Sequence, residues 1–209
     1  MIDTLFKNKY QTRSIRLKGW DYSANGKYFV TICTKNRQLF FGNIKNKTMH
    51  LSKIGTIASQ YWQDISKHCP NVKLYEFIIM PNHVHGIIEI ANRVETQNFA
   101  SLHDGYKNKF GPQSKNLSSI IRGFKIGVKK WATMHNENFQ WQSSFYDHII
   151  RNDESLDQIR QYIIDNPMQW EFDRNNPDVN GCKPHNAPRI TQNEQGTHHA
   201  KRTTQNGNE

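Results

Sequence analysis

Apolar and polar residues alternate with two different periods along this chain, and the switches between them mark its elements. "KYFVTICT" (27–34) is apolar and β-branched and predicts a strand. "QLFFGNIKNKTMHLS" predicts two short strands around an Asn-Lys turn. From Ser52, which suits an N-cap, the period lengthens: Ile54, Ile57, Ala58, Tyr61 and Ile65 fall on one face of a helix ending near Cys69-Pro70. "VKLYEFIIM" (72–80) and "HVHGIIEI" (83–90) then form a strand pair joined at Pro81-Asn82. A polar, glycine-containing stretch (91–116) precedes "LSSIIRGFKIGVKKWATMHN". There Ile120, Ile121, Phe124, Val128, Trp131 and Ala132 line an inward face, with Arg122, Lys125, Lys129 and Lys130 mostly away from it. "QSSFYDHIIR" (142–151) predicts a further strand, and a last helix runs from about Asp153 to Pro167.

Strands outnumber helices, and one pair is joined by a tight turn. An antiparallel sheet with packed helices, an α+β domain, follows. Three segments emerge: a basic N-terminal arm (1–19), a single domain (20–172), and a polar tail (173–209) too poor in apolar residues to fold alone and expected to be disordered.

Charge narrows the partner. Lys and Arg number 28 against 18 Asp and Glu, a net charge of +10, which favours a polyanion: nucleic acid first, an anionic membrane second. The absence of an apolar run of about 18 residues or of a signal-like N-terminus weakens the membrane reading and points to a cytoplasmic protein. Cys33, Cys69 and Cys182 are scattered and suggest neither a disulfide framework nor a thiolate metal site. No phosphate-binding Gly-rich loop of the nucleotide-hydrolase kind is present.

Two features carry chemistry. His83 and His85 are two apart on a strand, so their imidazoles share a face, and neutral imidazoles so placed can grip one ion. They are equally compatible with two ordinary, partly buried, hydrogen-bonded histidines. Glu89 is a further oxygen donor on that strand, and any metal site needs another ligand from elsewhere. In "DESLDQIRQYIIDNP", Tyr162 and Asn166 lie one turn apart at the edge of the Leu156, Ile159, Ile163 stripe. Taken alone, they also suit a ring packed at the core edge and a helix stop before Pro167.

Together and in this order, "PNHVHGII" and "QYIIDNP" resemble the two signatures of the single-tyrosine HUH transposases, the REP-associated kind above all. "DYSANGKYFVTICTKNR", "SIIRGFKIGVKKW" and "FYDHIIRNDESLDQIRQYIIDNP" extend the resemblance over about residues 20–170. It implies a ferredoxin-like HUH endonuclease core with the histidine strand central and the tyrosine helix across from it. It implies Tyr162 as nucleophile, His83, His85 and Asn166 as ligands of Mg²⁺ or Mn²⁺, and single-stranded DNA, commonly hairpin-bearing, as substrate. It also implies a monomer or a homodimer. A tyrosine, with a pKa of about 10, is a poor nucleophile at neutral pH; a divalent ion helps by polarising the phosphate. Attack would leave a 5′-phosphotyrosine and a 3′-OH, conserving the bond energy for rejoining.

DNA contacts are expected from Arg122, Lys125, Lys129 and Lys130, from the arm around Arg13, Arg16 and Lys18, and from His148 and Arg151. Tyr146 is the rival nucleophile, without a partner amide four residues on. Other readings are a hairpin-binding protein that keeps the fold without catalysis, and an HUH replication initiator or relaxase.

Overall fold

A computed structural model of the chain describes residue 17 and residues 20–92, 116–173 and 175–177. The basic arm with Arg13 and Arg16, nearly all of the polar stretch after β5, and the tail beyond 177 lie outside the described residues.

Among the described residues, ten strands and α-helices follow in order: β1 (Gly26–Cys33), β2 (Gly42–Lys45), β3 (Thr48–Leu51), α1 (Lys53–Gln63), α2 (Ile65–His68), β4 (Val72–Met80), β5 (His83–Ile90), α3 (Leu117–Met134), β6 (Tyr146–Ile150) and α4 (Asp153–Asp165). Each predicted element is present. The first helix is broken at Asp64 into α1 and α2, and Ser52 caps α1 by accepting from the Gly55 N–H. Asn116 and Ser119 cap each other's backbone at the start of α3, an arrangement that contributes about 1 kcal/mol. The β2–β3 turn places Asn46 and Lys47 at φ 50° and 61°, the left-handed geometry that a two-residue hairpin demands.

The four long strands form one sheet in the order β4-β5-β1-β6, every neighbour antiparallel. With the β2–β3 hairpin and the final α4 set aside, and α1–α2 taken as one broken helix, the element order is βαββαβ and the sheet order is the ferredoxin-like one. The antiparallel sheet with packed helices is thus the observed architecture, and the histidine strand β5 is interior, buried on both faces.

Alternation along the strands divides the core in two. Tyr28, Val30 and Ile32 of β1 and Val84, Ile88 and Ile90 of β5 point to one face, where α1 and α3 cover them with Trp62, Ile121, Phe124 and Val128. Phe29 and Ile87 point to the other, under Leu156, Ile159 and Ile163 of α4. Gly86 faces the first layer. A Cβ there would collide with the Trp62 indole, so the bare backbone lets that ring lie against the strand.

Candidate active site

The register fixes what shares the α4 face. His83, His85 and Ile87 alternate with the residues packed against α1 and α3, so both imidazoles point toward α4. Both are almost fully buried, His83 at 0% and His85 at 2% exposure. Their rings meet edge to face with centroids 4.4 Å apart.

Each imidazole is held through Nδ1. His83 Nδ1 lies 2.8 Å from Asn82 Oδ1. The Asn82 amide is oriented unambiguously, because its Nδ2 donates to the Arg37 carbonyl (3.0 Å) and the Asn175 carbonyl (2.6 Å). Oδ1 therefore accepts, His83 carries a proton on Nδ1, and Nε2 faces the site. His85 Nδ1 lies 2.9 Å from Thr31 Oγ1, its cross-strand partner on β1. Phe29 stacks on the His85 ring at 5.3 Å and fixes its plane.

Helix α4 brings the tyrosine. Asn152 caps it by accepting from the Ser155 N–H, and Asp153 and Glu154 complement the positive end of its dipole. Its apolar stripe docks on Phe29, Ile87 and Ile150. Tyr162 follows that stripe inward, and its Oη lies 3.4 Å from His85 Nε2. One turn on, Asn166 is 3% exposed, and its Oδ1 is buried without a hydrogen-bond partner.

A carboxylate that sequence reasoning missed completes the cluster. Asp173 Oδ2 lies 3.8 Å from His83 Nε2, and its side chain is 6% exposed. Ligand atoms of His83, His85 and Asp173 all lie within 4.8 Å of one another, so the group is able to hold a metal ion. Residue 173 was expected to open the polar tail, but residues 170–173 and 175–176 lie back against the site. The Trp170 ring lies 6.1 Å from that of His83, and Asn175 and Asn176 are buried. Glu89, the acidic residue expected as a possible ligand, instead accepts a 2.6 Å hydrogen bond from Tyr75.

The remaining expected site residues are dispersed. Helix α3 packs on the face of the sheet opposite the histidines, an arrangement its amphipathic pattern did not reveal. Lys125 Nζ donates to the Gln142 and Ser143 carbonyls, and Lys129 Nζ to the Phe139 carbonyl at 2.6 Å. These two ammonium groups pin the segment before β6, and burial pushes the pKa of Lys125 below the usual lysine range. Arg122, Lys130 and Arg151 are exposed. His148 pairs with Phe29 across β1 and β6 and so faces the α4 side. Burial, assisted by Arg151, lowers its pKa below the ordinary imidazole value. Tyr146 is partly buried against the α4 cluster, opposite Thr31.

No family model matches the chain. An uncharacterised protein of Haemophilus influenzae is 43% identical over 169 residues, covering 79% of this chain and 93% of its own. A second protein of that organism, named "Putative REP-associated tyrosine transposase", is 26% identical over 152 residues, covering 73% of this chain and 76% of its own. The chain resembles the REP-associated tyrosine transposases. Similar solved structures include a REP-associated tyrosine transposase bound to a REP hairpin, at 19% identity and a TM-score of 0.49, over 77% of this chain and 74% of its own. A transposase-like protein of Deinococcus radiodurans has 15% identity and a TM-score of 0.40, over 72% of this chain and 96% of its own. No helix among the described residues is long and apolar enough to cross a membrane.

Proposed function

We propose that this protein cleaves and rejoins single-stranded DNA beside a hairpin, through a covalent link between Tyr162 and the 5′ phosphate. The observation that carries the reading is the position of Tyr162 Oη, 3.4 Å from His85 Nε2 at the end of a rigid helix. A packed helix holds the attacking oxygen far more narrowly than a surface loop, and such positioning supplies much of the rate in phosphoryl transfer.

The donor set fits a divalent ion: two imidazole Nε2 atoms whose Nδ1 atoms are held by Asn82 and Thr31, and the buried, unpartnered Asn166 Oδ1. His83, His85 and Asn166 would hold Mg²⁺ or Mn²⁺. When bound, the ion supplies Lewis-acid polarisation of the scissile phosphate and favours loss of a nearby hydroxyl proton. The chain's own residues do the rest. Asn82 and Thr31 hold the imidazole planes. Phe29 and the α4 stripe hold the tyrosine ring, against whose edge Phe29 packs at 6.1 Å. Tyr162 Oη forms a bond to phosphorus as the bond to the 3′ oxygen breaks. The hydroxyl proton leaves to solvent, and the departing 3′ oxygen gains one. Reversal of the same step joins strands.

Incubation of the full chain with a labelled single-stranded hairpin oligonucleotide and Mn²⁺ is expected to give a covalent band on a denaturing gel. Tyr162→Phe removes one oxygen. The adduct is expected to vanish while hairpin affinity stays within about twofold. Mass spectrometry of the trapped adduct is expected to find the nucleotide mass on the peptide carrying Tyr162. That mass on a peptide with Tyr146 and not Tyr162 would overturn the assignment, and a hairpin bound without any adduct would leave a binding protein.

A further inference from the structure

We propose that Asp173 is a direct ligand of the divalent ion held by His83 and His85, so that the segment following α4 is part of the metal site; this rests on the metal-dependent reading above. Burial comes first. The Asp173 side chain is only 6% exposed, and Oδ2 is a buried oxygen that accepts no hydrogen bond. A carboxylate oxygen buried beside an imidazole and left without hydrogen bonds needs a positive partner. The adjacent imidazole donates from Nδ1 to Asn82 and turns Nε2 toward the carboxylate. Nε2 and Oδ2 are 3.8 Å apart, too far for a direct hydrogen bond, and an ion between them would satisfy both atoms.

The carboxylate is also pre-oriented. Asp173 Oδ1 accepts from the Asn175 N–H at 2.7 Å, which turns Oδ2 toward His83. The Asn175 carbonyl in turn accepts from Asn82, the residue that holds His83. Asn176 Nδ2 closes the turn on the Trp170 carbonyl at 3.1 Å. The segment is therefore laced to the same turn that orients the imidazole. Two imidazoles and one carboxylate would supply three donors to a six-coordinate ion, leaving room for an amide oxygen and for phosphate oxygens. The added hard, anionic oxygen suits Mg²⁺ or Mn²⁺ and raises affinity for both.

The test is Mn²⁺ binding by the full chain without DNA, read from the electron paramagnetic resonance of unbound Mn²⁺. Asp173→Asn preserves shape and the bond from the Asn175 N–H but removes the charge. It is expected to weaken Mn²⁺ binding about tenfold or more. Affinity within about twofold of the parent chain would overturn the proposal. A His83→Ala/His85→Ala variant separates the two levels of inference. Abolished binding there alongside unchanged binding in Asp173→Asn removes Asp173 only, whereas Mn²⁺ binding retained in the double variant removes the whole metal site. A second measurement needs no substitution: in ¹⁵N spectra of the parent chain, Mg²⁺ is expected to shift the Asp173 and Asn175 amide resonances along with those of His83 and His85. Shifts at the histidines alone would also overturn the assignment.

Discussion

His148 illustrates how one side chain carries both a place near the site and a stability signature. It stands on the α4 face of β6, half-buried, with Nδ1 buried and unpartnered. Burial lowers its pKa below the unfolded value of about 6.5, so the unfolded chain binds more protons below that pH. Stability from this group is therefore present above about pH 6.5 and is lost as pH falls toward the folded pKa. His148→Gln is expected to flatten the drop in melting temperature between about pH 6.5 and 5, measured against the parent chain. An equally steep drop would place the acid sensitivity elsewhere. Residue identity decides equally much at position 82. An aspartate there would accept from His83 but would set a carboxylate against the Arg37 and Asn175 carbonyls, both of which now accept from Nδ2.

Elements transmit these requirements through packing that the periodicity of the sequence does not contain. Gly86 is read in the sequence only as a glycine inside a strand. Its reason lies on α1, where Trp62 occupies the space a side chain would need. Gly86→Ala is expected to cost about 1–3 kcal/mol, visible in the denaturation midpoint, because the indole has no room to retreat. Helix α3 offers a second case. Lys125→Met and Lys129→Met are expected to lower the melting temperature, since each breaks a bond to the segment before β6, while leaving the salt dependence of DNA binding unchanged. Arg122→Gln/Lys130→Gln acts on exposed charge instead. This double variant is expected to reduce the slope of log affinity against log salt by about 0.7 for each phosphate the two side chains neutralise. An unchanged slope would remove α3 from the DNA interface.

At the scale of the molecule, what was legible in the sequence is what repeats locally. Strand alternation placed His83 and His85 on one face, and helical spacing placed Tyr162 one turn from Asn166; both hold. The side of the sheet on which each helix docks was not legible, because an amphipathic stripe says which face is buried and not against what. Asp173 was hidden for the same reason. It follows Trp170 in a stretch whose composition reads as a tail, and only tertiary packing returns it to His83. The two halves of the site also rest on unequal foundations. The imidazoles belong to an interior strand hydrogen-bonded on both sides, over the large core, whereas Tyr162 rides on α4, held by the smaller cluster around Phe29, Ile87 and Ile150. Amide hydrogen exchange should resolve them into two tiers. The protons of β5 are expected to exchange only through global opening, and those of α4 through a cheaper sub-global one in which the helix lifts while the sheet persists. Equal protection in both would refute the division. If the tiers exist, Tyr162 belongs to a hatch and the imidazoles to the hull.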